Sequence, residues 1–275
     1  MLRNPICSLL SIRLPFRPAL VRRFHSSQQL PTPIPTSSTK SNSHSRPTST
    51  MAASTRRIEN PVLFICDIQE KFRQAIWEFP KVITTSQKMV KAANILNIPI
   101  YITTQNAARL GPTVSELTDL LSQSSDSQSS DRPEEIDKTA FSMLVPDLLR
   151  RLPEQSQTQS QPPSQVRTSS SPSHRLSIII TGIETHICVT QTALDLLDRG
   201  HRVYILQDGV SSCNAGERPV ALNRLAREGC IVTTSESILF ELLGDAKHEK
   251  FKAVSTLIKE TKEETRVAVE TLCKL

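Results

Sequence analysis

The sequence predicts an α/β fold: a Rossmann-like, three-layer α/β/α arrangement around a mostly parallel, six-stranded sheet. Two observations carry that expectation. Short apolar blocks rich in β-branched residues recur along the chain, as strands covered on both faces require. Stretches of helical period separate them, and strand alternating with helix makes crossover connections and a parallel sheet. The length of 275 residues, 37% of them hydrophobic, is enough to bury a substantial core.

The first segment, residues 1–57, stands apart. It has no Asp or Glu, while Arg3, Arg13, Arg17, Arg22, Arg23, Arg56 and Arg57 are scattered among Ser, Thr and Pro. That composition predicts a disordered, transit peptide-like arm and a mitochondrial location, with Met51 as an internal start for a cytoplasmic form. The formal net charge of +6 comes largely from this arm, so it does not point to nucleic acid. The apolar runs are too short and interrupted to span a membrane.

The folded domain is expected over 58–260. Its strands are "PVLFIC" (61–66), "IPIYITT" (98–104), "SIIITG" (177–182), "RVYILQ" (202–207) and "CIVTT" (230–234), with a weaker sixth near "EEIDKTAF". Helical patterns cover 80–97, 186–199, 217–228 and 237–243, the last three closed by Gly200, Gly229 and Gly244. Ser/Gln/Pro-rich inserts at 122–133 and 153–174 have too little apolar content to order their backbone. A charged, helical tail covers 261–275.

The six cysteines form no CxxC pair and no zinc spacing with His, so no disulfide framework or metal is implied. For Cys66 and Cys230, inside apolar runs, the bland role is that of a small buried residue. No two glycines are separated by one residue, which rules out G-x-G-x-x-G, and there is no P-loop, HExxH or GxSxG. No cofactor is expected.

In open α/β sheets ligands sit beyond the carboxyl ends of the strands, so residues ending strands are the candidates. Asp67 follows "VLFIC". Lys138 lies near the weak strand. Cys188 stands in the first turn of the helix after "SIIITG", where unpaired N–H groups and the helix dipole favour a thiolate and a developing oxyanion. Each has an ordinary reading too: a packed cysteine, a turn aspartate, a solvated lysine. His186, two residues from Cys188 on a helix, does not face it.

The segments "VLFICDIQEKF", "IYITTQNAARLGPTVSEL", "DKTAFSML", "TGIETHICVTQTALDLLDRGHRVYILQDGVSS" and "RLAREGCIVTTSESILFELLGDAKHEKFKAVSTLIK" resemble, in this order, the isochorismatase-like hydrolases of the cysteine hydrolase superfamily. The resemblance implies that fold and a catalytic triad of Asp67, Lys138 and Cys188. It implies a cis peptide at Ile183–Glu184, with the backbone amides of Glu184 and Cys188 as oxyanion hole. It also implies a homo-oligomer acting on a small-molecule substrate. Nicotinamidases of this group hold a metal with an Asp and His cluster after the second strand. Here that stretch reads "TTQNAARLG", which has neither residue and implies no metal. A retained Cys188 points to an amide-like or related bond, with Gln69, Phe72, Thr139, Phe141 and Ser142 as pocket candidates. Core packing is the other reading of Phe72 and Phe141. The alternative function is a non-catalytic protein that keeps the fold and binds a protein partner or senses a small ligand.

Overall fold

A computed structural model describes residues 58–123, 133–153 and 175–274. The expected transit arm lies outside the described residues, as does nearly all of both inserts.

Six parallel strands form one sheet: β1 (Pro61–Cys66), β2 (Ile100–Gln105), β3 (Glu135–Lys138), β4 (Ser177–Ile183), β5 (Arg202–Ser211) and β6 (Ile231–Thr233). Their order across the sheet is β3-β2-β1-β4-β5-β6. The chain winds outward from β1 through β2 and β3, then restarts on the other flank of β1 with β4. The switch between β1 and β4 is the place where, in open α/β sheets, ligands bind at the strands' carboxyl ends. β1 and β4 are buried almost throughout, which is why they read as continuous apolar runs.

Helices make the outer layers. On one face α1 (Phe79–Leu96) packs against β1, β4 and β5. α3 (Ser115–Gln123), α7 (Ser235–Leu243), α8 (Phe251–Glu260) and α9 (Lys262–Leu272) lie against it. α9 also contacts β5, and the buried Lys88 Nζ on α1 donates to Thr265 Oγ1 of α9 at 2.8 Å. The C-terminal segment thus packs onto the sheet domain. On the opposite face α4 (Pro146–Arg151), α5 (Thr190–Asp198) and α6 (Glu217–Glu228) close a core. That core takes Val62, Phe64 and Cys66 from β1, Ile178 and Ile180 from β4, Leu148 from α4, Leu196 from α5 and Leu225 from α6. Phe64 meets Tyr101 of β2 edge-on, with 5.7 Å between ring centroids. A short helix α2 (Ala107–Leu110) follows β2.

Candidate active site

Asp67 leaves the end of β1 with φ 53°, in the left-handed region that aspartate tolerates better than most residues. Its N–H donates to the Thr103 carbonyl at 3.1 Å, and Thr103 Oγ1 donates to Asp67 Oδ1 at 2.8 Å. The other carboxylate oxygen, Oδ2, accepts from Lys138 Nζ at 2.7 Å. Both side chains are almost wholly withdrawn from water. A buried ion pair is tolerable only when its remaining hydrogen-bonding capacity is filled. Lys138 fills its own with Gln105 Oε1 at 2.7 Å and the carbonyls of Ala140 and Phe141, each at 3.2 Å.

Lys138 reaches this place because β3 pairs with β2 in a register that sets it beside Gln105. Burial is the largest single influence on its ammonium and works to lower the pKa. The charges of Asp67, Cys66 and Cys188, together with the hydrogen bond to Asp67, outweigh it and hold the pKa above lysine's ordinary value.

Cys188 comes from the other side of the switch point. After β4 the Ile183–Glu184 peptide is cis, where the resemblance placed it, and Thr185–Val189 forms a π-helical turn before α5. Within it the Ile187 and Val189 N–H groups both converge on the Glu184 carbonyl. π-Turns recur at functional sites because they rotate side chains out of α-helical register. Cys188 is 6% exposed and lies in the same buried core cluster as Cys66. Cys66 in turn donates through sulfur to Asp67 Oδ2 at 3.7 Å. Of the three residues singled out from the sequence, Asp67 and Lys138 are thus in direct contact, and Cys188 approaches closely enough to influence the Lys138 ammonium.

Gly182 makes this approach possible. Its φ is 126°, and a β-carbon there would lie 2.1 Å from the Cys66 carbonyl oxygen. Only a residue without a side chain lets β4 run that close to the end of β1.

The remaining candidates divide. Gln69 is fully buried and committed to backbone: Nε2 donates to the carbonyls of Gln105 and Gly111, and Oε1 accepts from the Gln105 N–H. Phe72 packs in the interior at 8% exposure. Thr139 and Phe141 are exposed, and Ser142, half-buried, accepts from the Leu144 N–H. The Glu184 carboxylate accepts from the Cys213 N–H at 2.9 Å. His186 bonds Ser212 Oγ at 3.0 Å. Sequence reasoning missed Gln105 and Thr103, which hold Lys138 and Asp67. The only signal for either was a polar residue late in an apolar strand. Among the described residues no cluster of three or more His, Cys, Asp or Glu is placed to hold a metal, and no helix is long and apolar enough to cross a membrane.

Comparison with known proteins agrees with this architecture. Residues 61–237 match the isochorismatase domain. The chain is 41% identical over 199 residues to isochorismatase domain-containing protein 2 of Xenopus laevis, covering 72% of this chain and 83% of that one. It is 40% identical over 215 residues to the secreted isochorismatase effector Isc1 of Phytophthora sojae, covering 76% and 92%. Among solved structures, the MAR1 ribonuclease from Caenorhabditis elegans superposes with a TM-score of 0.60 at 36% identity, over 73% of this chain and 90% of that one. With the domain matched over most of the folded chain, and relatives of this identity over nearly their whole length, the protein belongs to the isochorismatase family.

Proposed function

We propose that this protein is a cysteine hydrolase that cleaves a small amide-like substrate, with Cys188 as nucleophile, Asp67 as general base and acid, and Lys138 as the cation that organises both. The observation that carries the reading is the buried Lys138–Asp67 pair at 2.7 Å, with Cys188 buried close enough to influence the Lys138 ammonium. A lysine and a carboxylate enclosed beside a thiol are costly to keep for packing alone.

In the proposed cycle Asp67 takes the Cys188 proton and the sulfur attacks the substrate carbonyl carbon. The backbone amides of Glu184 and Cys188 receive the developing oxyanion. When the tetrahedral adduct collapses, the carbon–nitrogen bond breaks and the amine leaves with the proton held by Asp67. Water, deprotonated by Asp67, then attacks the thioester, releasing a carboxylic acid and restoring the Cys188 thiol. Phe141, exposed two residues beyond Thr139, offers an apolar wall at the mouth. Lys138 is buried and already paired with Asp67, which suits a small neutral substrate better than a polyanion such as RNA.

The test is a screen of small amides for amine release, run with wild type and Cys188→Ala, and with intact-protein mass measured during turnover. Turnover that falls about 10⁴-fold or more in the variant, with an acyl adduct on Cys188, supports the reading. No turnover, together with a Cys188 that iodoacetamide fails to modify, overturns it.

A further inference from the structure

Arg218 is a buried cation outside the candidate active site. It stands in the first turn of α6 and is 4% exposed. The partners that the described residues give it carry no net charge. Its Nε donates to the Val210 carbonyl at 3.0 Å, Nη2 donates to the Gln207 carbonyl at 2.7 Å, and Cζ lies 5.5 Å from the centroid of the Trp77 ring. Burial pushes the guanidinium's pKa down, and only the neighbouring Cys273 acts the other way. The two carbonyls fasten Arg218 to β5, but they leave its charge unbalanced. A cation withdrawn from water among dipoles alone is costly, and an opposite charge offsets that cost.

The second observation is space. Arg218 forms part of the wall of a cavity of about 100 Å³, where α6 meets β5, β6 and the residues following α9. Gln207, Asn223 and Lys274 are its other polar walls, and Leu222 and Val232 are among the apolar ones. Among the described residues no Asp or Glu lines it, while Lys274 adds a second positive charge. None of Asp67, Lys138 and Cys188 reaches it. A water-sized atom takes roughly 10–15 Å³ of such space, so the cavity admits a tetrahedral oxyanion and excludes a nucleotide.

We propose that this cavity binds a free, small oxyanion of the phosphate class, with Arg218 as its anchor. A guanidinium has five N–H donors in a planar fork that matches a pair of phosphate oxygens, and each of the two carbonyls engages a different nitrogen. Lys274 contributes charge from the rim, and Asn223 and Gln207 are neutral polar walls. The anion brings the negative charge that the surrounding residues lack. Because it touches α6, the edge of the sheet and the chain beyond α9 at once, its binding stabilises the folded protein. The inference is independent of the hydrolase reading, since it uses none of the residues of that cycle.

The test is calorimetric titration of inorganic phosphate into the full-length protein, in phosphate-free buffer with ionic strength held constant by sodium chloride. Saturable binding of one phosphate per chain is expected, weakened tenfold or more in Arg218→Gln. That variant also gives up two hydrogen bonds to β5 and can fail to melt cooperatively. Asn223→Glu is therefore the second variant: it leaves Arg218 in place and puts a carboxylate on the cavity wall, and it too should weaken phosphate tenfold or more. Absence of saturable binding to wild type overturns the site, as does a smaller loss in either variant that folds. The carboxylate of the chain's last residue shares the chemistry of the proposed ligand, so the titration is repeated on protein lacking Leu275. Binding that appears only after this deletion assigns the cavity to the chain's own terminus and overturns the free-anion site; equal binding with and without Leu275 supports it.

Discussion

Gly182 and the Cys66 carbonyl oxygen approach so closely that a β-carbon on the glycine would sit 2.1 Å from that oxygen. No rotamer relieves such a clash, since both partners are backbone, and the φ of 126° disfavours any side chain. Gly182→Ala is expected to lose about 3 kcal/mol or more of stability. Urea unfolding checks it. Any folded fraction should lose Cys188 reactivity, because β4 must shift away from β1.

Breaking the buried ion pair should cost more than replacing it. Lys138→Met leaves Asp67 enclosed without its cation and is expected to destabilise by about 3–5 kcal/mol. Asp67→Asn/Lys138→Met should recover much of that loss while remaining inactive. A double-mutant cycle by chemical denaturation measures the coupling.

Gln69 tests whether a residue beside the site serves substrate or scaffold. Its three hydrogen bonds fasten the end of β2 to the Gly111 turn. Gln69→Leu strands buried backbone groups, at about 1–3 kcal/mol for each one left unpaired. Hydrogen exchange should speed up at the Gln105 amide. Unchanged stability with a raised KM would show a substrate contact instead.

Stability should fall at both ends of the pH range. Burial, with lesser help from Arg199 and Arg175, lowers the pKa of His201, whose Nδ1 accepts from the Leu176 N–H at 3.3 Å. The unfolded chain therefore binds its proton first, and stability drops as pH falls below about 6.5 toward the folded value. His201→Asn, which keeps an acceptor, should flatten this acid limb. On the alkaline side Cys66 is raised, chiefly by burial, and Cys230 is pushed up to about 12, again chiefly by burial. Both keep their protons in the folded state after the unfolded chain has lost them. Stability then declines above about pH 8.5, by up to ~1.4 kcal/mol per pH unit for each thiol. Cys273 is pushed up to about 11 in the same way, so Cys230→Ala should lower that slope by about a third, as read from urea melts between pH 8 and pH 10.

The sequence made the sheet legible because β1, β4 and the first half of β5 are buried on both faces and read as near-continuous apolar runs. It made β3 faint because an edge strand of four residues alternates, with Ile136 and Lys138 inward and Asp137 out. β5 runs to Ser211, past the expected end at Gln207, since Asp208 and Gly209 look like a turn in sequence. In the fold Asp208 is enclosed and accepts from the Ser235 N–H at 2.8 Å. The helix starting near 186 was visible, but its π-turn was not, because hydrophobic period does not distinguish the two windings over five residues. Asp67, Lys138 and Cys188 stood out as strand-end chemistry. Cys66 did not, because a cysteine inside an apolar run carries no sign of which way its sulfur points.

The strand order has a consequence for how the molecule is made. Asp67 and Lys138 belong to the half wound outward from β1, and Cys188 to the half that restarts with β4. A chain emerging from the ribosome can pair the carboxylate with the lysine while Cys188 is still unsynthesised. Cys188 joins them only when β4 docks on β1, a contact spanning more than a hundred residues and slow to close. The meeting of Cys188 with Asp67 and Lys138 is therefore a late event in biogenesis, and it marks completion of the sheet.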